Sequence, residues 1–237
     1  MSKIVDLLLD KLGDRYSKLL GINLESGKDE EMFKWFLASI LFGAPINEAS
    51  VIKTFNCFRR YNVLTLNRIL ETGWDGLVKI LDEGAYTRYD FKTSGKLLDV
   101  MRNLNSKYGG SLNALHDQAE DSKDLERRLK DLGKGLGDIT IGIFLRELRN
   151  IWKKADPAPT PLVVLAAKNL GIIKEEKPKK VLHALENFWR ENAPLNRSFV
   201  EFETALLRLG KDFCRRRRCD VCLFKRHCSS FRRLKTQ

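Results

Sequence analysis

Leu132-Gly133-Lys134-Gly135-Leu136-Gly137-Asp138 joins two stretches that repeat with a helical period. Before it, Ser122 to Leu132 sets Leu125, Leu129 and Leu132 on one side. After it, Ile139 to Trp152 reads as a second helix. Glycines let the backbone turn tightly and leave amide N–H groups bare where the second helix begins. Those amides, with the positive end of the helix dipole, bind a phosphate without reading a base. Helix, short G-h-G turn, helix is the helix-hairpin-helix pattern. A lone G-x-G also simply ends helices, so the pattern gains weight only from what shares the chain with it.

The same period runs outward in both directions. Met32, Phe33, Phe36, Leu37, Ile40 and Leu41 mark a buried helix that Pro45 ends, and Asn47 can cap the next, with Val51, Ile52, Phe55 and Phe58 inside. Cys57 falls beside that face and reads as core. Shorter runs cover Leu64 to Leu70 and Trp74 to Leu81, and a longer one covers Asp90 to Tyr108, stopped by Gly109-Gly110. Beyond the proline-rich 155–161, Thr160 and Pro161 open a helix over Leu162 to Leu170, closed by Gly171. Stripes at Val181, Leu182, Leu185, Phe188 and Trp189, and at Phe199, Phe202, Leu206 and Leu209, follow. No stretch sustains strand alternation. The expected class is all-α.

Four of the five cysteines then fall between Cys214 and Cys228, spaced C-x4-C-x2-C-x5-C. Soft thiolates this close favour zinc or an iron–sulfur cluster. Zinc ribbons join separated ligand pairs, so one compact knot leans toward a cubane-type cluster, although spacing alone leaves both open. A disulfide pair would need an oxidising compartment, of which the chain carries no sign. Arg215, Arg216, Arg217 and Arg218 occupy the first gap, and ten basic residues stand against two acidic ones from Lys211 to Gln237. That segment supplies most of the chain's formal net charge of +12. Pinned between ligands, such a basic loop becomes a shaped surface for nucleic-acid phosphate.

The amino-terminal 22 residues lack the apolar core of a signal peptide, and no stretch is long and apolar enough to span a bilayer. The expected setting is the cytoplasm or nucleoid, with no membrane partner. A monomer without an obligate protein partner is expected.

Together the turn and the cysteine knot resemble the endonuclease III branch of the helix-hairpin-helix DNA glycosylases. Phe33 to Ala49, with the turn Phe42-Gly43-Ala44-Pro45-Ile46-Asn47, is similar to the family's early core helices and DNA-inserting loop. Gly135-Leu136-Gly137-Asp138-Ile139-Thr140 is similar to its hairpin, and Phe199 to Cys228 to its closing helix and [4Fe–4S] loop. The loop between the first two cysteines is shorter here than the family's usual one. The resemblance implies two interlocked helical domains: residues 27–135, and residues 1–26 with 136–237 carrying the cluster loop 214–228. It implies a [4Fe–4S] cluster on Cys214, Cys219, Cys222 and Cys228, and double-stranded DNA held by Lys134, Gly135, Gly137, Ile139 and Arg215 to Arg218.

The catalytic pattern departs from the family. Ile139 occupies the place of the lysine that attacks C1′, and an isoleucine forms no Schiff base, so β-lyase chemistry by that route is not expected. Lys134, Lys153 and Lys154 are near in sequence but not at that place. Thr160 stands where the family has an aspartate; it caps a helix but brings no carboxylate. Asp156, four residues earlier, is the candidate acidic helper, against the plainer reading that it starts a turn before Pro157. Asp138 beside the phosphate turn calls for a neutralising cation, Lys134 or another. The expected activity is that of a monofunctional N-glycosylase, flipping a damaged or mismatched base; the alternative is a non-catalytic DNA-binding protein on that scaffold. Among aromatics, Trp35, Phe36, Phe42, Trp152 and Trp189 read as core, whereas Tyr86 and Tyr89, flanking Arg88, are expected to be exposed. His116, His183 and His227 show no ligand spacing.

Overall fold

The computed structural model describes residues 2–174 and 177–234, with all side chains except those of Ser2, Pro178, Lys179, Arg232, Arg233 and Leu234. Lys235, part of the basic tail, lies outside the described residues. Among those described, the chain is helical and contains no strand. The α-helices are α1 (Ser2–Leu12), α2 (Tyr16–Leu19), α3 (Asp29–Phe42), α4 (Glu48–Arg60), α5 (Leu66–Glu83), α6 (Asp90–Tyr108) and α7 (Leu112–Gln118). After them come α8 (Ser122–Lys130), α9 (Asp138–Arg146), α10 (Pro161–Asn169), α11 (Pro178–Asn192), α12 (Phe199–Leu209) and α13 (Ser229–Leu234).

Local chemistry sets most helix ends. Asn47 Oδ1 accepts from Ser50 N–H at 2.8 Å to start α4, and Ser198 with Glu201 forms a reciprocal capping box on α12. Thr160 caps α10, with Pro161 in its first turn. Gly109, at φ 61°, closes α6 in the left-handed region, where a side chain would be strained. The two short helices expected over 64–81 form one element interrupted at Gly73, where φ 66° and ψ −178° leave the helix for a single residue. The helix expected from Ile139 to Trp152 ends earlier, at Arg146, and continues as turns.

The chain divides into two compact units, Ser17–Pro157 and Met1–Tyr16 with Ala158–Gln237. These bounds differ from the expected ones at 26/27 and 135/136. Leu20, Ile22 and Leu24 are buried, and Ser17 N–H reaches the Glu147 carboxylate at 3.1 Å, which draws the earlier boundary back. Phe144 draws the later one forward: its carbonyl accepts from Trp35 Nε1 at 3.0 Å, and its ring meets Phe36 edge-on at 5.0 Å. The glycine turn and α9 therefore fold with α3. Each large apolar side chain removed from water contributes about 1.5–3 kcal/mol, enough to decide such a choice.

The 17–157 unit is built on α3, whose Trp35, Phe36, Leu37, Ile40 and Leu41 are fully buried. Tyr86, expected at the surface, is fully buried, and its hydroxyl donates to the Leu41 carbonyl at 2.8 Å. That one internal acceptor removes the usual reason for a phenol to seek water. Gly84 lies flat against Thr54, whose Oγ1 donates to the Gly84 carbonyl at 3.1 Å. A Cβ on Gly84 would collide with the Thr54 backbone as well as its side chain. Gly84→Ala is expected to cost about 2–3 kcal/mol in urea unfolding, the usual penalty for overpacking; an unchanged midpoint would refute that contact.

The other unit joins chain ends far apart in sequence. Val5, Leu8 and Leu9 of α1 enter one core with Val163 and Ala166 of α10, Leu185 of α11, Phe202 and Leu206 of α12, and Phe224. Arg197 holds the rim, reaching Asp10 at 2.8 Å and Glu201 at 3.3 Å.

Candidate nucleic-acid interface and cysteine chamber

The glycine turn between α8 and α9 is anchored from below and bare above. Leu136 is buried, whereas Lys134, Gly135, Gly137, Asp138 and Ile139 are exposed. Its glycines serve different ends. A Cβ at Gly133 would strike Val100 on α6, so packing requires that glycine. Gly135 sits at φ 90°, outside the range of ordinary residues, with the Lys96 side chain against it. Gly137 has φ −93° and no atom near its absent Cβ, so the protein itself does not demand a glycine there. As the residue before α9 it offers no capping side chain, so no N-cap side chain bonds the first amides of that helix.

Charge around the turn is arranged by residues that pattern reading missed. Burial, then the nearby Lys92 ammonium, holds Lys96 below the ordinary lysine value. Asp138 is neutralised by Lys130, the last residue of α8, at 2.5 Å. The expectation of a cation beside Asp138 is met by that residue rather than by Lys134. The same ammonium stands 3.8 Å from Glu126. Burial pushes the Glu126 carboxyl up; Lys130 opposes this, while the fields of Asp138 and Asp156 add to it. Glu126, Asp138 and Asp156 thus share one electrostatic neighbourhood. Asp156 is itself exposed and accepts from Arg149 at 3.2 Å, and Arg149 also donates to the Pro157 carbonyl at 2.5 Å. The Arg149 side chain is only 6% exposed, so it fixes the Asp156 carboxylate from beneath.

Ile139 is 71% exposed on the first turn of α9, where a side chain meets solvent rather than core. Behind it, Thr140 approaches Gly43 so closely that a Cβ there would overlap the threonine Oγ1. The turn over residues 42–47 is thereby brought beside the start of α9. Lys154 is committed elsewhere, donating to the carbonyls of His116 at 2.8 Å and Asp117 at 3.2 Å at the end of α7. Trp152 is buried, stacked on His116 and bonded through Nε1 to Asn113 at 2.9 Å.

In the unit that joins the chain ends, α12 passes into one π-helical turn, Gly210–Cys214, that carries Cys214 out of the core. Gly210 permits this by lying against the Leu162 carbonyl, where no Cβ would fit. The loop beyond is pinned by fully buried Phe224 and by Arg218 N–H to the Phe213 carbonyl at 3.0 Å. Cys214, Cys219, Cys222 and Cys228 all line one cavity of about 650 Å³, together with Phe213 and Arg217. None of the four is in a disulfide. Polar hydrogens face the sulfurs: the Asn169 side chain at Cys214, Phe224 N–H at Cys222, and Phe231 N–H 3.4 Å from Cys228. Burial, reinforced by the neighbouring cysteines, pushes the thiols of Cys214 and Cys222 above the ordinary value. Among the described residues no three ligand-type side chains converge closely enough to hold a single ion. The four thiols thus surround a chamber with room for a group of several atoms, and N–H donors aimed at sulfur suit thiolate ligands of such a group.

All four arginines of the loop are exposed. Arg217 alone adopts a positive φ, 51°, and borders the chamber, which separates it from Arg215, Arg216 and Arg218. His227 and His183 are exposed, and no described helix is long and apolar enough to cross a membrane. Compared with models of known protein families, the chain matches none. No curated protein matches it significantly.

Proposed function

We propose that this chain binds duplex DNA and acts as a monofunctional, endonuclease III-like N-glycosylase, with a [4Fe–4S] cluster held by Cys214, Cys219, Cys222 and Cys228. The observation that carries the reading is the amino end of α9: a glycine the fold does not need, amides with no capping side chain, and Lys96 and Lys134 beside them. Uncapped helix amides ringed by cations are a phosphate site. Arg215, Arg216 and Arg218 supply a second set of phosphate contacts on the cysteine loop. When bound, the cluster supplies a rigid cross-link among the loop's ligand positions.

Asp156 is the carboxylate assigned to the reaction. Held in place by Arg149, it faces the sugar as the C1′–N bond breaks and positive charge grows on the ring. Water then adds to C1′, and its proton passes to the departing base. Glu126, whose carboxyl burial pushes up, is one of the two other carboxyl groups of the neighbourhood and suits a proton-carrying role. No lysine takes part: Ile139 forms no imine, and Lys154 is bonded to the end of α7.

Incubating the protein with duplexes that each carry one damaged or mismatched base, followed by alkali, tests the activity. Cleavage is expected on at least one, with no adduct trapped by borohydride. Asp156→Asn is expected to lower turnover about 100-fold or more while DNA affinity stays within about twofold, as for loss of a transition-state electrostatic partner. The exposed Ile139 and the carboxylate-free cap Thr160 favour a second reading, a non-catalytic binder of distorted DNA. Tight binding with no cleavage of any substrate would decide for it.

A further inference from the structure

Beside the glycine turn, two large aromatic side chains stay in water although the core could hold such groups. Trp74 is 43% exposed and Phe91 61%, and their rings lie against each other with centroids 5.3 Å apart and planes at 37°. The kink at Gly73 restarts α5 at Trp74, in the middle of that element, and Phe91 stands in the first turn of α6, so a backbone break lies just before each ring on the packed α5–α6 pair. On α6, exposed Phe91 and half-buried Gly95 share one line, and a Cβ on Gly95 would meet nothing, leaving the flank of the Phe91 ring open. Lys92 and Lys96 form the adjacent line, and Lys96 ends against Gly135 of the turn. A rise of 1.5 Å per residue sets Phe91 about 7.5 Å along the helix from Lys96. On α6, Asp90 accepts Phe91 N–H at 2.7 Å, and Asp99 pairs with Arg102 at 3.3 Å.

We propose that the Trp74–Phe91 pair is a stacking platform for an unpaired nucleobase of DNA whose backbone is held by Lys92, Lys96 and the glycine turn. Paired aromatic faces next to cations that track a backbone are what an unstacked base and its phosphates require. The rise of about 7.5 Å from Phe91 to Lys96 is about that of two nucleotides along one strand. This assignment rests on the DNA-binding reading and gives that site a preference for strands that are locally open.

The test compares a duplex carrying one bulged adenine with the fully paired duplex of the same sequence, titrated into the full chain at low salt. The bulged duplex is expected to bind about tenfold more tightly, in keeping with one stacked base. Trp74→Ala and Phe91→Ala are each expected to erase that preference while changing paired-duplex affinity less than about twofold, and Phe91→Tyr is expected to keep it. Equal binding of both duplexes by the native chain, or a preference that survives both alanine variants, overturns the platform and leaves duplex binding standing. Failure to bind either duplex overturns both.

Discussion

The native chain, purified without oxygen, is expected to be brown and to absorb broadly through the visible region, and Cys222→Ala protein is expected to be colourless. The four thiols line a chamber into which Cys214 and Cys222 are partly buried, and a bound cluster cannot keep its place with one of its ligands gone. Loss of the group leaves the loop anchored by Phe224 and a few backbone hydrogen bonds. Structural metal ligation contributes folding free energy outright, about 10 kcal/mol or more for zinc in small metal-dependent domains. Trypsin should therefore cut between Arg215 and Arg218 at least about tenfold faster in the variant, because cleavage follows the open population of the loop. Full colour in Cys222→Ala, or a native protein that is folded and metal-free, would remove the cluster from the account. Stoichiometric zinc without iron would replace it.

A triple variant, Arg215, Arg216 and Arg218 to Ala, is expected to lose about 100-fold in duplex affinity at low salt. Exposed ion pairs are worth about 1 kcal/mol each at most, and about 1.4 kcal/mol corresponds to a factor of ten. The sharper readout is the dependence on salt. Each phosphate neutralised contributes about 0.9 to the slope of log affinity against log salt, so three lost contacts should flatten it by about 2.7. Arg217→Ala is the internal control: its side chain borders the cysteine chamber, and the slope should fall by well under one. A triple variant with an unchanged slope would mean that the loop does not touch the phosphates.

Helix ends were legible because their causes are local. Asn47, Thr160 and the Gly109 stop act within a few residues of themselves, and α6 begins and ends where the pattern put it. Tyr86 was misjudged because its surroundings are distant in sequence: the acceptor that lets its hydroxyl leave water is the carbonyl of Leu41. The same holds for α9, which folds with α3 through Trp35 and Phe144, a contact no periodicity announces. At the candidate site, the glycine turn and the cysteines were readable as motifs. Lys96, Lys130 and Glu126 were not, since each becomes relevant only when a helix lays it beside the turn or beside Asp138. Trp74 and Phe91 read as ordinary helical residues, because exposure is not written in a hydrophobic period.

The joining of α1 to α12 in one core has a consequence for how the chain is made. Val5, Leu8 and Leu9 leave the ribosome long before Phe202 and Leu206, their partners on α12, follow. At about 5–20 residues per second that interval is roughly 10–40 s. The intervening residues 17–157, a compact unit in their own right, have time to fold within it. The four chamber cysteines leave the ribosome after Leu206, so on the proposed reading the cluster is loaded only once α12 has been made.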